Sequence, residues 1–188
     1  MKKSIEELDK WIGERIQGGF GQGEMILLRE EIGKLKPGEI YLEVGVDEGR
    51  SMTVARHYAD PEVWVIGVDY IDPPARNKYM NTPTGEGGWN PTGTGMIHIG
   101  AKTLFIHGDS QMVAKLFNPK ISLLFIDGDH SYEGVKKDTL SWESKVKKGG
   151  TILYHDTDYV NGVPVWLDDH YGKDGWENIN SKIARVRI

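Results

Sequence analysis

Residues 121–156 read ISLLFIDGDHSYEGVKKDTLSWESKVKKGGTILYHD, and their reading decides the fold. An apolar run from Ile121 to Ile126 ends abruptly in Asp127-Gly128-Asp129-His130. SYEGVKKDTLSWESKV follows as a helix, and GGTILYHD is a second apolar run that ends in His155 and Asp156. Both strands are continuously apolar rather than alternating. That pattern belongs to a parallel sheet buried on both faces, with a helix making each crossover.

The alternation extends in both directions. EIYLEVG (39–45) reads as a strand, RSMTVARHYA (50–59) as a helix and VWVIGVDY (63–70) as a second strand. AKTLFIHGD (101–109) contains a third strand, and SQMVAKLF a helix. Upstream, Ser4 and Glu7 form a capping box, and Ile5, Leu8, Trp11, Ile12 and Ile16 follow at helical spacing, which predicts a helix over 5–17. GGFGQG (18–23) breaks it as a mobile loop, and a second helix is expected near 24–35. Downstream, GVPVWLDDHYG and SKIARVRI read as a short helix and a last strand. Residues 71–96 hold four prolines and five glycines without a period, so they read as one long loop. The expectation is a single doubly wound α/β domain over 1–188, with an N-terminal helical extension at 1–36.

Composition narrows the function. With 188 residues the chain can bury a core, and with no cysteine it carries neither disulfides nor thiolate zinc sites. MKKSIEELDKW lacks the apolar segment of a signal peptide, and no apolar run approaches the length of a membrane span. A net charge of −5 and a pI near 5.7 argue against nucleic acid as the main partner. A cytoplasmic protein acting on small molecules, with no membrane partner, is expected.

In open α/β sheets ligands sit beyond the carboxyl ends of the strands, so each end is read for chemistry. The first strand ends in YLEVGVDEGRSM, with Glu43, Gly45, Gly49 and Ser51. The two glycines permit a tight turn and a close backbone approach. The spacing is neither the dinucleotide G-x-G-x-x-G nor a P-loop. Asp69, with Tyr70 beside it, ends the second strand, where an acid can accept from a ribose diol; Asp109 and Ser110 end the third. Each of these residues alone also reads as a turn, cap or solvated strand end. Asp129 and Ser131 suit a helix N-cap, and His130 a solvated turn. Glu133 and residues 136–138 read as a solvated helix face. Tyr132 reads equally as core or as a substrate contact. Trp11, Trp64, Trp142 and Trp166 read as packing residues, whereas Trp89 in the long loop could cover a substrate.

Taken in order, LEVGVDEGRS, IGVDY, HGDS, FIDGDHSYEGVKKD and KKGGTILYHD resemble the class I S-adenosylmethionine-dependent methyltransferases. The branch is that of small-molecule O-methyltransferases carrying IDGDHSYEGV and HD, grouped with cephalosporin-hydroxylase-like and macrocin O-methyltransferase-like families. The resemblance spans about 39–156 and implies a Rossmann-like, mostly parallel sheet with an antiparallel last strand. It implies cofactor contacts from Glu43, Gly45, Gly49 and Ser51, ribose contacts from Asp69, adenine contacts from Asp109 and Ser110, and further cofactor contacts from Tyr70 and Asp127. Position 47, often glycine in such enzymes, is Asp47 here, and its carboxylate is expected to point away from the methionine carboxylate.

The resemblance also implies an acidic metal cluster. Ends of adjacent parallel strands lie about 4.8 Å apart, so Asp127 and Asp156 could share one ion. Oxygen ligands suit Mg²⁺, and His155 is the weaker third candidate. A divalent ion lowers the pKa of an acceptor hydroxyl, and a base then removes its proton. His130 is the expected base, with Asp129 as runner-up or orienting partner. The expected function is methyl transfer from S-adenosylmethionine to a hydroxyl of a small molecule, by a protein that can associate with itself. Two alternatives stay open: a non-catalytic cofactor-binding module, and a glycosyltransferase using Asp127-Gly128-Asp129 as its D-x-D.

Overall fold

The computed structural model describes residues 3–16, 18–70, 97–98, 102–158 and 162–188. The loop read over 71–96, and Trp89 within it, lie outside the described residues.

Among the described residues, eight strands form one sheet in the order β3-β4-β2-β1-β5-β6-β8-β7. They are β1 (Ile40–Val44), β2 (Trp64–Asp69), β3 (Ile97–His98), β4 (Thr103–His107), β5 (Ile121–Ile126), β6 (Val146–Tyr154), β7 (Glu177–Asn180) and β8 (Ile183–Arg187). The inner run β4-β2-β1-β5-β6 is parallel throughout. β3 pairs antiparallel with β4 at one edge, and β8 pairs antiparallel with both β6 and β7 at the other. The chain winds from β1 to β2 and β4 in one direction, then crosses back to β5 and β6. The switch point therefore lies between β1 and β5, where a doubly wound sheet opens its ligand crevice.

The helices described are α1 (Ile5–Gly13), α2 (Gln22–Ile32), α3 (Arg50–Tyr58), α4 (Ser110–Leu116), α5 (Tyr132–Trp142) and α6 (Val163–Tyr171). Strand residues alternate between two packed layers. Tyr41, Val65, Leu123, Phe125 and Leu153 face α1, α2 and α3 in one core. Leu42, Val44, Leu124, Ile126 and Ile152 face α5 and α6, with Val135, Trp142, Trp166 and Leu167, in the other. All six residues of β5 are buried, as the apolar run requires. The N-terminal helices thus supply part of one covering layer.

Ser4 caps α1 with Glu7 in the expected reciprocal pair. The helix ends at Gly13, short of the expected residue 17, and α2 begins at Gln22, inside the stretch read as loop. There Glu24 reaches back to the Gly21 N–H at 2.6 Å, which starts the helix early. Strands β3 and β7 were not expected: the first is two residues long, and Glu177–Asn180 is polar. Asp138 corrects the reading of 136–138 as a solvated face, because only 6% of it is exposed. Among the described residues no helix is long and apolar enough to cross a membrane.

Candidate active site

The carboxyl ends of β1, β2, β5 and β6 open into one cleft of about 580 Å³. Gly45 to Asp47 enter from β1, Asp69 from β2, Asp127 to His130 from β5, and His155 and Asp156 from β6. Backbone bonds carry the ladders one step past the strand ends: Gly45 N–H donates to Val68 O, Asp127 N–H to Val44 O and His155 N–H to Ile126 O. The site is therefore fixed by the sheet. Two parts come from far away in sequence: Gly18, Gly19 and Phe20 before α2, and Lys182 in the turn between β7 and β8.

Gly45 has φ 84°, and a Cβ there would lie 2.1 Å from the Asp127 carbonyl oxygen. The turn after β1 thus rests directly on the end of β5, which only glycine permits. One oxygen of Asp69 accepts from the N–H groups of both Val46 (2.9 Å) and Asp47 (2.8 Å), tying the turn to β2. Asp47 and Asp156 themselves sit at positive φ, 48° and 56°, a conformation Asp tolerates better than most residues.

The electrostatics centre on His155, whose ring is buried. Its Nε2 meets Glu24 of α2. Its Nδ1 lies 2.9 Å from Asp127 Oδ1 and 3.2 Å from Asp156 Oδ2, but its N–H aims at neither oxygen closely enough for a directed hydrogen bond. Burial disfavours the charge on His155, yet Asp127, Asp156 and Glu24 outweigh it and push the pKa up to about 12. Burial pushes Asp127 up, with His155 opposing. Burial also raises Asp156, but His155 and His130 more than offset it and hold that carboxyl below the usual range. His130 Nδ1 stands 2.8 Å from Asp156 Oδ2. One donor atom from each of Asp127, His130 and Asp156 lies within 4.8 Å of the others. The cleft lining holds six carboxylates, from Asp47, Glu48, Asp69, Asp127, Asp129 and Asp156, against the cations Arg50 and Lys182. Such a site favours cationic ligands.

The sequence-predicted residues divide by position. Gly45, Ser51, Asp69, Asp127, Asp129, His130, His155 and Asp156 line the cleft. Gly49 caps α3 in the left-handed region. Glu43 is fully buried beneath the turn, where Tyr41 Oη and Ser51 Oγ donate to its two oxygens at 2.5 and 2.7 Å. Tyr70, Asp109 and Ser110 lie outside the lining. Tyr70 stacks on His107, Asp109 caps α4 by accepting from Met112 N–H, and Ser110 Oγ donates to the buried Asp138. Asp129 accepts from Ser131 N–H at 2.9 Å, and Ser131 caps α5 by accepting from Gly134 N–H. Tyr132 donates to Asp169 at 2.9 Å, with its ring edge-on to Trp166. Asp47 lines the cleft, with its carboxylate toward Gly18. Sequence reasoning missed Glu24, Phe20 and Lys182, because tertiary contacts alone bring them to the strand ends.

A family model described as "Methyltransferase domain" matches residues 42–157. No curated protein matches the chain. Solved structures share the fold. The MycE methyltransferase from the mycinamycin biosynthetic pathway, in complex with Mg, SAH and mycinamycin VI, is 16% identical with a TM-score of 0.64. It aligns with 98% of this chain, which spans only 54% of the MycE chain. A putative caffeoyl-CoA O-methyltransferase from Staphylococcus aureus is 16% identical, with a TM-score of 0.64 over 98% of this chain and 92% of that one. CalS11, a TDP-rhamnose 3'-O-methyltransferase of calicheamicin biosynthesis, is 14% identical, with a TM-score of 0.60 over 100% and 96%. The matched segment runs from within β1 to just past β6 and carries the cleft's strand ends, so the chain belongs to this family of methyltransferase domains.

Proposed function

We propose that the protein transfers the methyl group of S-adenosylmethionine to a hydroxyl oxygen of a small molecule, assisted by a bound Mg²⁺. The observation that carries this reading is the acidic cluster at the switch point. Asp127, His130 and Asp156 gather within 4.8 Å, at the mouth of the glycine turn. The names of the structural neighbours support it: MycE was solved with Mg and SAH, and CalS11 is an O-methyltransferase of a sugar nucleotide.

The residues present fit a divalent cation. Two carboxylates are the hard oxygen donors that Mg²⁺ prefers. The buried His155 Nδ1, without a directed hydrogen bond, lies against both of them. Asp127 and Asp156 would hold the ion, with His155 beside them as the weaker candidate. When bound, the ion would lower the pKa of the acceptor hydroxyl and orient it.

The protein's own groups do the rest. The turn Gly45–Gly49, with Ser51 and Asp69, would cradle the cofactor, and the acidic lining would favour its sulfonium. Asp109 and Ser110 would form the adenine end, where β4 finishes, with Tyr70 as a further cofactor contact beside Asp69 at the end of β2. Glu43 would act from below, by shaping the turn. His130, with Nδ1 against Asp156, would act as the base and take the hydroxyl proton through Nε2. The oxygen's electron pair forms the new C–O bond as the C–S bond breaks, and thioether, ether and histidinium result. Asp129 would orient the turn carrying His130.

Calorimetry with S-adenosylhomocysteine tests the first half: binding is expected in the micromolar range typical of enzyme ligands, and no binding of it or of S-adenosylmethionine would sink the reading. Given an accepted alcohol, His130→Ala should lower kcat by roughly 10²–10⁴-fold with the cofactor Kd unchanged.

A further inference from the structure

We propose that Glu24 is a positioning residue for the cluster at the switch point: by holding Nε2 of His155, it fixes the ring so that Nδ1 faces Asp127 and Asp156. The inference rests on the reading of that cluster as a cation site. Glu24 lies outside the segment matched by the methyltransferase-domain family, in the first turn of α2.

Three observations support it. Glu24 is only 7% exposed, and a carboxylate so buried has to be fully partnered. One oxygen accepts from Gly21 N–H, the bond that starts α2, and the other meets His155 Nε2, so both oxygens are partnered. The ring is also gripped from the sides, by Phe20 and Phe125 with centroids 5.9 Å away in each case. Phe20 belongs to the same N-terminal segment as Glu24. With Nε2 anchored and the ring packed between two phenylalanines, Nδ1 is held against the two carboxylates, at 2.9 and 3.2 Å.

A purely stabilising ion pair is the weaker account. Buried pairs seldom contribute more than well-packed apolar groups would, because desolvation offsets their attraction. A second buried glutamate on the same helix provides the control. Glu31 is 4% exposed and pairs with Lys34, Arg185 and Arg187, and it does not line the cleft. Loss of Glu24 removes one negative charge from the group and frees the ring. Loss of Glu31 removes the same charge from the same helix and leaves the ring alone.

The test compares wild type, Glu24→Gln and Glu31→Gln with Mn²⁺ as probe. Affinity is read by calorimetry, and the histidine ring N–H resonances are read by NMR without metal. Glu24→Gln should weaken Mn²⁺ by roughly 10–100-fold, the range for outer-shell partners of metal ligands, and should shift or broaden away the His155 Nε2–H signal. Glu31→Gln should lower Tm while leaving both readouts within twofold of wild type. Unchanged Mn²⁺ affinity in Glu24→Gln, or an equal loss in Glu31→Gln, overturns the inference. If wild type takes no Mn²⁺, the cation-site reading fails by itself. The resonance then decides the positioning role, and an unmoved Nε2–H signal in Glu24→Gln refutes it. Should Glu24→Gln not fold, Glu24→Asp keeps the charge but draws it back by one methylene. A loss of about fivefold or more is expected there, and wild-type affinity overturns the proposal.

Discussion

Glu43 shows how far a single residue can be read from sequence. Its place in LEVGVDEGRS marks it as part of the turn, and the resemblance makes it a cofactor contact. In the structure it lies under that turn, fully buried, bonded to Tyr41 and Ser51. Burial pushes its pKa up to about 8, with the hydrogen bonds from Tyr41 and Ser51 opposing. The folded protein therefore binds more protons than the unfolded chain between the ordinary carboxylate range and pH 8. Glu43's contribution is fully present at acidic pH and fades as pH rises through about 8. Glu43→Gln removes this penalty: relative to wild type its stability should gain on the order of a few kcal/mol from pH 5 to pH 8. Urea denaturation at the two pH values measures it, and parallel pH profiles would contradict the buried-acid account. Ser131 is a simpler case, legible as a cap and observed as one. Ser131→Ala should cost about 1 kcal/mol in the same urea assay, and a cost near zero would deny the cap.

The strands were legible as elements because each inner one is an apolar run with a polar end, and the ends of β1, β2, β5 and β6 became the cleft. The edge strands were not. Two residues at 97–98 carry no period, and Glu177–Asn180 has no apolar face; both exist through pairing with a neighbour. Helix α5 concealed Asp138 for a related reason. Its buried position is set by Ser110 and by Gly128, where a Cβ would lie 2.9 Å from Asp138 Oδ2. Sequence periodicity sees a charged residue, whereas the packing makes it the lock between α4 and α5. The glycine turn is the element whose geometry is most exposed to test. Gly45→Ala would require a left-handed backbone, costing about 1–2 kcal/mol, and would also drive a Cβ into Asp127 O at 2.1 Å. The total loss should exceed about 2 kcal/mol, and S-adenosylhomocysteine binding should fall with it. Thermal unfolding with and without ligand checks both, and a variant with wild-type Tm would mean that the turn does not rest on β5.

At the scale of the whole molecule, topology made the site and topology was only half visible. The alternation of strands and helices indicates a doubly wound sheet, and so a crevice at the strand ends. It does not show which segments close over that crevice. Gly18–Phe20 and Lys182 line it from opposite ends of the sequence, and Glu24 meets His155 across 131 residues. A ligand in the cleft would therefore touch both ends of the chain and the turns after β1, β2, β5 and β6. Its binding energy should appear as global stability, because it binds only when these segments are assembled. At 100 times Kd, S-adenosylhomocysteine should stabilise the protein by about 2.7 kcal/mol. For a chain of this length that raises Tm by roughly 5–10 °C. Asp69→Ala frees the N–H groups of Val46 and Asp47 and should abolish most of the rise at the same ligand concentration. A Tm unmoved by saturating ligand in wild type would mean that the cleft is not where the cofactor binds. A full rise in Asp69→Ala would mean that the turn it holds takes no part.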